Sequence, residues 1–568
     1  MINILFLSFL SVIFHLFIGK IFSKYFKINN NTFYDLSLIS LIGLVSLSFF
    51  ALLINFFFPL SPTINTIFFI IIIIFSILTN QKILNNFITK KNILFIGITT
   101  VSVFLLIVLS NTYRPDAGLY HFPYINILNE NKIILGISNL HNRFGHPSIM
   151  QYLSAIHYNY IFGLNGIVIP LASLAIYSVV LFLSYIKNEN NLTISRLFAI
   201  LIILFICWKM NRYSGYGNDA PGHFIFFVLI LIYLQELERF SKINKTTFYL
   251  LSFFAIFAFL NKVFLIFSLL IPLISVNKKI LKSLIDIKFL FLFLFLFFWI
   301  IRNILTTGCI IYPMPLTCFD LPWTNFDGVS NVYEASKGSE AWAKDWINQK
   351  ENILPYEEYL KNFYWVGFWL ENHFKIILKI ILPYLVLILI FAFSLKMMKK
   401  KIKKIKSLNV KKYFPILFVL VIGILIWFLK SPIFRFGYSY IVSFIALSFA
   451  LIINYSYRNL VIINQKKISI VIILISVLVL SLKQFNRIYK EINTNYVNKP
   501  WPKFFSYSEQ NNKIDLEKIL INNEFFYYIP KSNYCFYSKS PCTTAEVDKN
   551  LRKKLNSYKY KIYYFEDL

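Results

Sequence analysis

Charge is scarce in this chain. Only 15% of its 568 residues are Asp, Glu, Lys or Arg, against about a quarter in a soluble protein of ordinary composition. That shortage excludes a conventional water-soluble fold for most of the length, and no stretch before residue 483 has the composition of a soluble domain. Acid is the scarcer sign, with 26 Asp and Glu against 57 Lys and Arg and a net charge of +31. The basic excess does not point to nucleic acid, because many of these residues sit in short links between apolar runs, as at Lys82, Lys90, Lys91 and Lys396–Lys412. Placement of that kind follows the positive-inside rule, and no nucleic-acid partner is expected. Internal repeats are absent too. The first apolar run, Ile2 to Phe22, lacks a basic flank before it and a small-residue cleavage site, so it reads as a retained span and not a signal peptide.

What fills the chain instead is apolar: 57% hydrophobic and 19% aromatic residues, gathered in runs of bilayer length. The expected fold is an all-α polytopic membrane protein, since only helices and closed barrels satisfy the backbone in lipid. About fourteen spans of roughly 20 residues, several of them shorter, account for the runs. Putting every basic link on the cytoplasmic side places the N-terminus outside. The same rule puts outer loops at 111–165 and 302–375, and a small extracytoplasmic tail at 483–568. Residues 1–92 read as extra N-terminal helices and 93–482 as the transmembrane core. The run from Phe248 to Val276 is interrupted at Asn261-Lys262; one long helix or two short ones would fit it, and two short ones keep the later basic loops inside. Ile149–Phe162 is short for a span and reads as an amphipathic helix lying on the membrane.

The densest titratable cluster follows the fourth span. Within 111–159 lie Arg114, Asp116, Tyr120, His121, His141, Arg143 and His146. Asp116 stands just past a span end, where a carboxylate can act as a general base if it lies within hydrogen-bond reach of a hydroxyl. The competing reading is a structural cap or ion pair. With Asp116, the three histidines offer the ligand types of a divalent metal site, although their spacing matches no standard pattern. Further on, the Gly-rich turn 212–223 carries Asp219, and Lys262, Arg302 and Arg435 all fall near the outer face. Cations there bind a lipid-linked phosphate or merely snorkel to headgroups. Cys309, Cys318, Cys535 and Cys542 fall in segments assigned outside, where disulfides persist, so Cys309–Cys318 and Cys535–Cys542 are candidate bridges. Neither spacing is that of a zinc knuckle.

The order of these pieces is DAGLY, then GHPS opening a helix, GYGNDAP, FLNKVFL and finally FRFGY. This order resembles the GT-C-type membrane glycosyltransferases, a superfamily that includes protein mannosyltransferases and enzymes adding aminoarabinose to lipid A. A group of bacterial membrane proteins is similar still more closely, through DAGLYHFPYI, ISNLHNRFGHPS, WAKDW, RFGY and CFYSKSPCT. The chain departs from the superfamily pattern at Ala117, where a second acid is usual, and at Ser148, where a second proline is usual. The resemblance implies a GT-C-like helical bundle in a bacterial cytoplasmic membrane. It also implies inverting transfer of a sugar from a polyprenyl-phosphate donor to a cell-envelope glycan, lipid or protein. By carry-over Asp116 is the base, and Lys262 and Arg435 hold the donor phosphate. A transporter or flippase of envelope lipids, or an O-antigen polymerase or ligase, is the rival expectation.

Overall fold

A computed structural model describes the chain apart from residues 1, 29–30, 80–88, 109–115, 190, 211–216, 241–242, 277, 282–285, 325–327, 350–353, 398, 403–409, 458–459, 463–464, 493–496, 499–500, 503–513, 523–524, 532 and 566–568. Among the described residues nine helices are long and apolar enough to cross a membrane, and shorter apolar helices such as Pro62–Phe75 and Lys245–Asn261 accompany them. The chain is thus a mostly helical, multi-pass membrane protein. Its outward faces are apolar at helical spacing: Ile67, Ile70, Ile71 and Ile74 on one helix, and Leu382, Val386, Leu389, Ile390 and Phe393 on another, are all exposed. Stripes at i, i+3, i+4 and i+7 that face away from protein are what a lipid solvent selects.

The N-terminal helices are not an added layer. Phe33–Phe57 is nearly enclosed and packs against Ile2–Ser23 and Ile169–Asn188. A capping box starts it: Thr32 Oγ1 accepts from the Asp35 amide at 3.1 Å, and the Thr32 amide donates to Asp35 Oδ2 at 2.9 Å. Its contact with Ile2–Ser23 is backbone to backbone, since a Cβ on Gly43 would lie 2.1 Å from the His15 carbonyl oxygen. Beside that crossing His157 Nδ1 donates to the Leu153 carbonyl at 2.7 Å. Its Nε2 is therefore the acceptor for His15 Nε2 at 2.9 Å, which leaves His15 Nδ1 to accept from Tyr177 at 3.1 Å. The two buried rings thereby satisfy one another as neutral groups.

Interhelical links sort into two polar ends. At one end Asn55 donates to the Asn131 carbonyl, Asn139 to Trp323 and Tyr563, and Trp369 to Pro432. At the other Tyr34 donates to Gln235, Asn454 to Leu192, and Lys412 to Leu237. The same segments were sorted together by the basic links alone. A cysteine introduced at Asn348 and one at Lys411, both exposed, should therefore react with an impermeant maleimide from opposite sides of intact cells or vesicles. Labelling of both from one side would overturn the arrangement.

Several expectations are corrected. Ile149–Ile156 is no surface helix, because all eight of its residues are buried in protein. The segment taken to start at Arg302 begins later, since Ile287–Thr307 is one continuous helix. The last long helix, Gln465–Ile492, runs past residue 483. The fold is also not purely helical: among the described residues the tail includes the antiparallel pairs Leu516–Asn522 with Phe525–Pro530 and Leu551–Leu555 with Lys561–Phe565, besides a short one at Val497–Asn498 and Trp501–Pro502. Runs such as FFYYIP and KIYYF, aromatic and β-branched, suit a pleated half-buried surface. Both disulfides are present, Cys309–Cys318 and Cys535–Cys542.

Candidate functional site

Four charged side chains from distant parts of the chain meet at the end of the bundle that carries the tail. Asp116 stands immediately before the short helical turn Ala117–His121. Asp219 is the first residue of Asp219–Arg239, Lys262 follows the end of Lys245–Asn261, and Arg435 lies in the turn Phe434–Gly437. Arg435 Nη2 donates to Asp116 Oδ2 at 3.3 Å, and Arg435 Nε lies 3.4 Å from Asp219 Oδ2. Lys262 Nζ donates to Asp219 Oδ1 and sits 3.3 Å from the centre of the Phe436 ring. The charges thus alternate in a row: Asp116, Arg435, Asp219, Lys262. Arg435 Nε is buried and, though ion-paired with Asp219, makes no hydrogen bond. The four side chains are between 17% and 38% exposed, so water reaches the row without flooding it.

The sequence holds this row by small-residue contacts and amide links. Gly222 lets the helix of Asp219 press on that of Lys262, since a Cβ there would lie 2.9 Å from Asn261 Nδ2. Asn261 donates to the Asn218 carbonyl at 2.6 Å and accepts from Ser148 Oγ at 2.7 Å. Ser148 caps Ile149–Ile156, with Gln151 Oε1 accepting from the Ser148 amide at 2.8 Å. Gln151 Nε2 in turn reaches His121 Nδ1 at 3.4 Å. His223 Nε2 donates to the Arg435 carbonyl at 2.8 Å, which makes its Nδ1 the acceptor for Ser439 at 2.6 Å. The five motifs DAGLY, GHPS, NDAP, FLNK and FRFGY therefore form one connected network. Ser148, Asn261 and His223 carry it; of these His223 has no signal in the sequence that would single it out.

Other candidates lie elsewhere. Arg302 is wholly buried and donates to Tyr152 at 3.0 Å, to Asn303 at 2.8 Å and to Tyr124. It is a core cation and does not join Lys262 and Arg435. Arg114 falls outside the described residues. His141 Nδ1 accepts from the Arg143 amide at 3.0 Å, a local cap, while His146 packs edge-on against Tyr312 at 4.9 Å. Burial pulls His121 and His141 down to about 4 and His146 to about 3, so all three are neutral near pH 7. They do not gather into a metal centre: among the described residues no three His, Cys, Asp or Glu side chains come together to hold an ion. Burial, then the carboxylate of Asp116, pushes the Tyr120 hydroxyl up.

The tail closes over the same region. The Phe536 amide donates to the Gly118 carbonyl at 2.9 Å, and a Cβ on Gly118 would collide with the Phe536 ring. Phe536 lies inside the loop closed by Cys535 and Cys542. Tyr537 donates to Asn129 at 3.3 Å, and Lys561 pairs with Asn131 at 2.5 Å.

No curated protein and no solved structure matches the chain. One family does, over residues 1–442, a range that takes in the N-terminal helices and all four charges of the row. The chain belongs to the family described as Domain of unknown function (DUF8201).

Proposed function

We propose that the chain is a membrane glycosyltransferase of GT-C type. It moves a sugar from a polyprenyl-phosphate donor to a cell-envelope acceptor on the outer face of a bacterial cytoplasmic membrane. The observation that carries this reading is the alternating row at the ends of apolar helices, with Arg435 and Lys262 beside two carboxylates and one buried Nε–H of Arg435 making no hydrogen bond. Two cations at a lipid boundary suit an anionic phosphate through charge-assisted hydrogen bonds. In the reaction the acceptor hydroxyl oxygen bonds to the anomeric carbon and its proton passes to Asp116. The bond from that carbon to the donor phosphate oxygen breaks, and the carrier phosphate leaves with the electron pair. Arg435 pairs with Asp116; a donor phosphate that draws Arg435 toward it leaves the carboxylate free to take the proton.

Lys262 tests the donor half of the reading. Lys262→Ala should weaken binding of a polyprenyl-phosphate sugar about tenfold or more, and Lys262→Arg should restore part of it, as expected for a charge-assisted contact. Unchanged donor binding in both variants would remove Lys262 from the site. A lipid transporter is the second reading, favoured by the helix break at Asn261-Lys262, a feature common where transporters hold substrate. Turnover separates the two readings.

A further inference from the structure

Arg143 stands apart from the row in one respect. Lys262 and Arg435 each face a carboxylate, whereas among the described residues no carboxylate pairs with Arg143 and its guanidinium donates to no acceptor. Its partners are two ring faces, Tyr120 on one element and Trp342 on another, each 5.7 Å from the guanidinium carbon. Trp342 is 38% exposed and belongs to WAKDW, a motif the row does not use. Tyr120 feels Asp116, Arg143, Asp219 and Arg435 together, so this aromatic-flanked cation adjoins the row. The elements that build it are the turns Ala117–His121 and Asn142–Gly145 and the helix Gly328–Ala343, none of which is a membrane span. Lys262 and Asp219, by contrast, lie at the mouths of apolar helices.

We propose that Arg143, with Tyr120 and Trp342, is a subsite for an anionic sugar-bearing ligand, and that the ligand's phosphate or carboxylate meets the guanidinium while its ring stacks on Trp342. A planar guanidinium with five N–H donors fits such an anion in a bidentate way, and stacking on flanking rings pre-orients it. An exposed indole face offers the apolar side of a pyranose a flat surface. Because the subsite is built only from elements outside the spans, it faces the water-borne substrate and not the lipid carrier. It rests on the transferase reading only in naming that ligand the acceptor.

The test uses the full chain in lipid nanodiscs, with glucose 6-phosphate, glucuronate and glucose as probes and saturation-transfer NMR as the readout. At least one anionic sugar should bind about tenfold or more tightly than glucose, as a charge-assisted bidentate contact allows, and which one does so separates phosphate from carboxylate. Arg143→Gln should bring that sugar down to the level of glucose, Arg143→Lys should keep part of the preference, and Trp342→Ala should weaken all three. Saturating polyprenyl phosphate should leave the anionic sugar bound. No preference in the wild type, a preference that survives Arg143→Gln, or displacement by polyprenyl phosphate would each overturn the subsite. Failure of polyprenyl phosphate to bind at all would instead count against the transferase reading and leave Arg143's role standing.

Discussion

Asp116→Asn should abolish sugar transfer while leaving the protein folded and able to bind donor. The expected loss is about a hundredfold to ten-thousandfold in turnover, the usual worth of a positioned base, or roughly 3–5 kcal/mol of barrier. The asparagine keeps the shape and an oxygen to accept from Arg435, and loses only the ability to take a proton. Stability should hardly move. The Asp116–Arg435 contact is 3.3 Å long with both side chains about a third exposed, and pairs in such settings are worth about 0–1 kcal/mol. That gap between the two magnitudes makes the experiment decisive, because a large drop in turnover with an unchanged melting temperature has no structural explanation. Equal turnover of purified wild type and Asp116→Asn with the same polyprenyl-phosphate sugar would remove Asp116 from the chemistry. No turnover in either, with donor bound, would favour the transporter.

The second large effect is on folding and runs against helix propensity. Gly43 sits mid-helix, where alanine would be favoured by about 1 kcal/mol on backbone grounds alone. Yet Gly43→Ala should destabilise the protein, because its methyl would fall 2.1 Å from the His15 carbonyl oxygen, a backbone atom that no rotamer change can move. Overpacking a tight contact costs about 1–3 kcal/mol and at times more, and here it also displaces the helix that carries His15, one half of the His15–His157 pair. Close backbone approach through small residues is how helices associate in lipid. A lowered melting temperature in detergent, with Gly97→Ala as a control that meets nothing within 4 Å, is the expected result. A stabilised Gly43→Ala would show that the crossing is looser than described.

Much of this was legible in the residues, for reasons that differ by level. Lipid demands apolar length, and the runs announce themselves by length; the basic links then sort the ends, and the tyrosine, asparagine and tryptophan links of the structure join the same segments. The break at Asn261-Lys262 was readable because a lysine inside an apolar run is costly enough to force a local solution. Arg302 was misplaced by the same logic, since sequence cannot reveal that Tyr124 and Tyr152 wait to receive it inside the protein. Ile149–Ile156 was misread because a short amphipathic stretch looks alike whether its polar side meets headgroups or, as here, the side chains of Asn261 and His121. The tail's hairpins leave little trace in the sequence, because strands of five to seven residues are too short to stand out beside apolar runs of bilayer length. The histidines have ligand chemistry without a ligand spacing, and among the described residues no three such side chains come together.

The contact between Phe536 and Gly118 also bears on how the protein is made. Ribosomes deliver Asp116 early, and the neighbouring Asn126 donates to the carbonyl of Ser538, a residue 412 positions later. The turn that holds Asp116 is thus finished by a segment synthesised long after it, and that segment lies beyond the stretch that matches the family. Until it arrives and its Cys535–Cys542 loop closes, the Gly118 carbonyl has lost its partner and the turn is only half built. Order at the Asp116 turn would then appear abruptly, only once the Phe536 segment has docked.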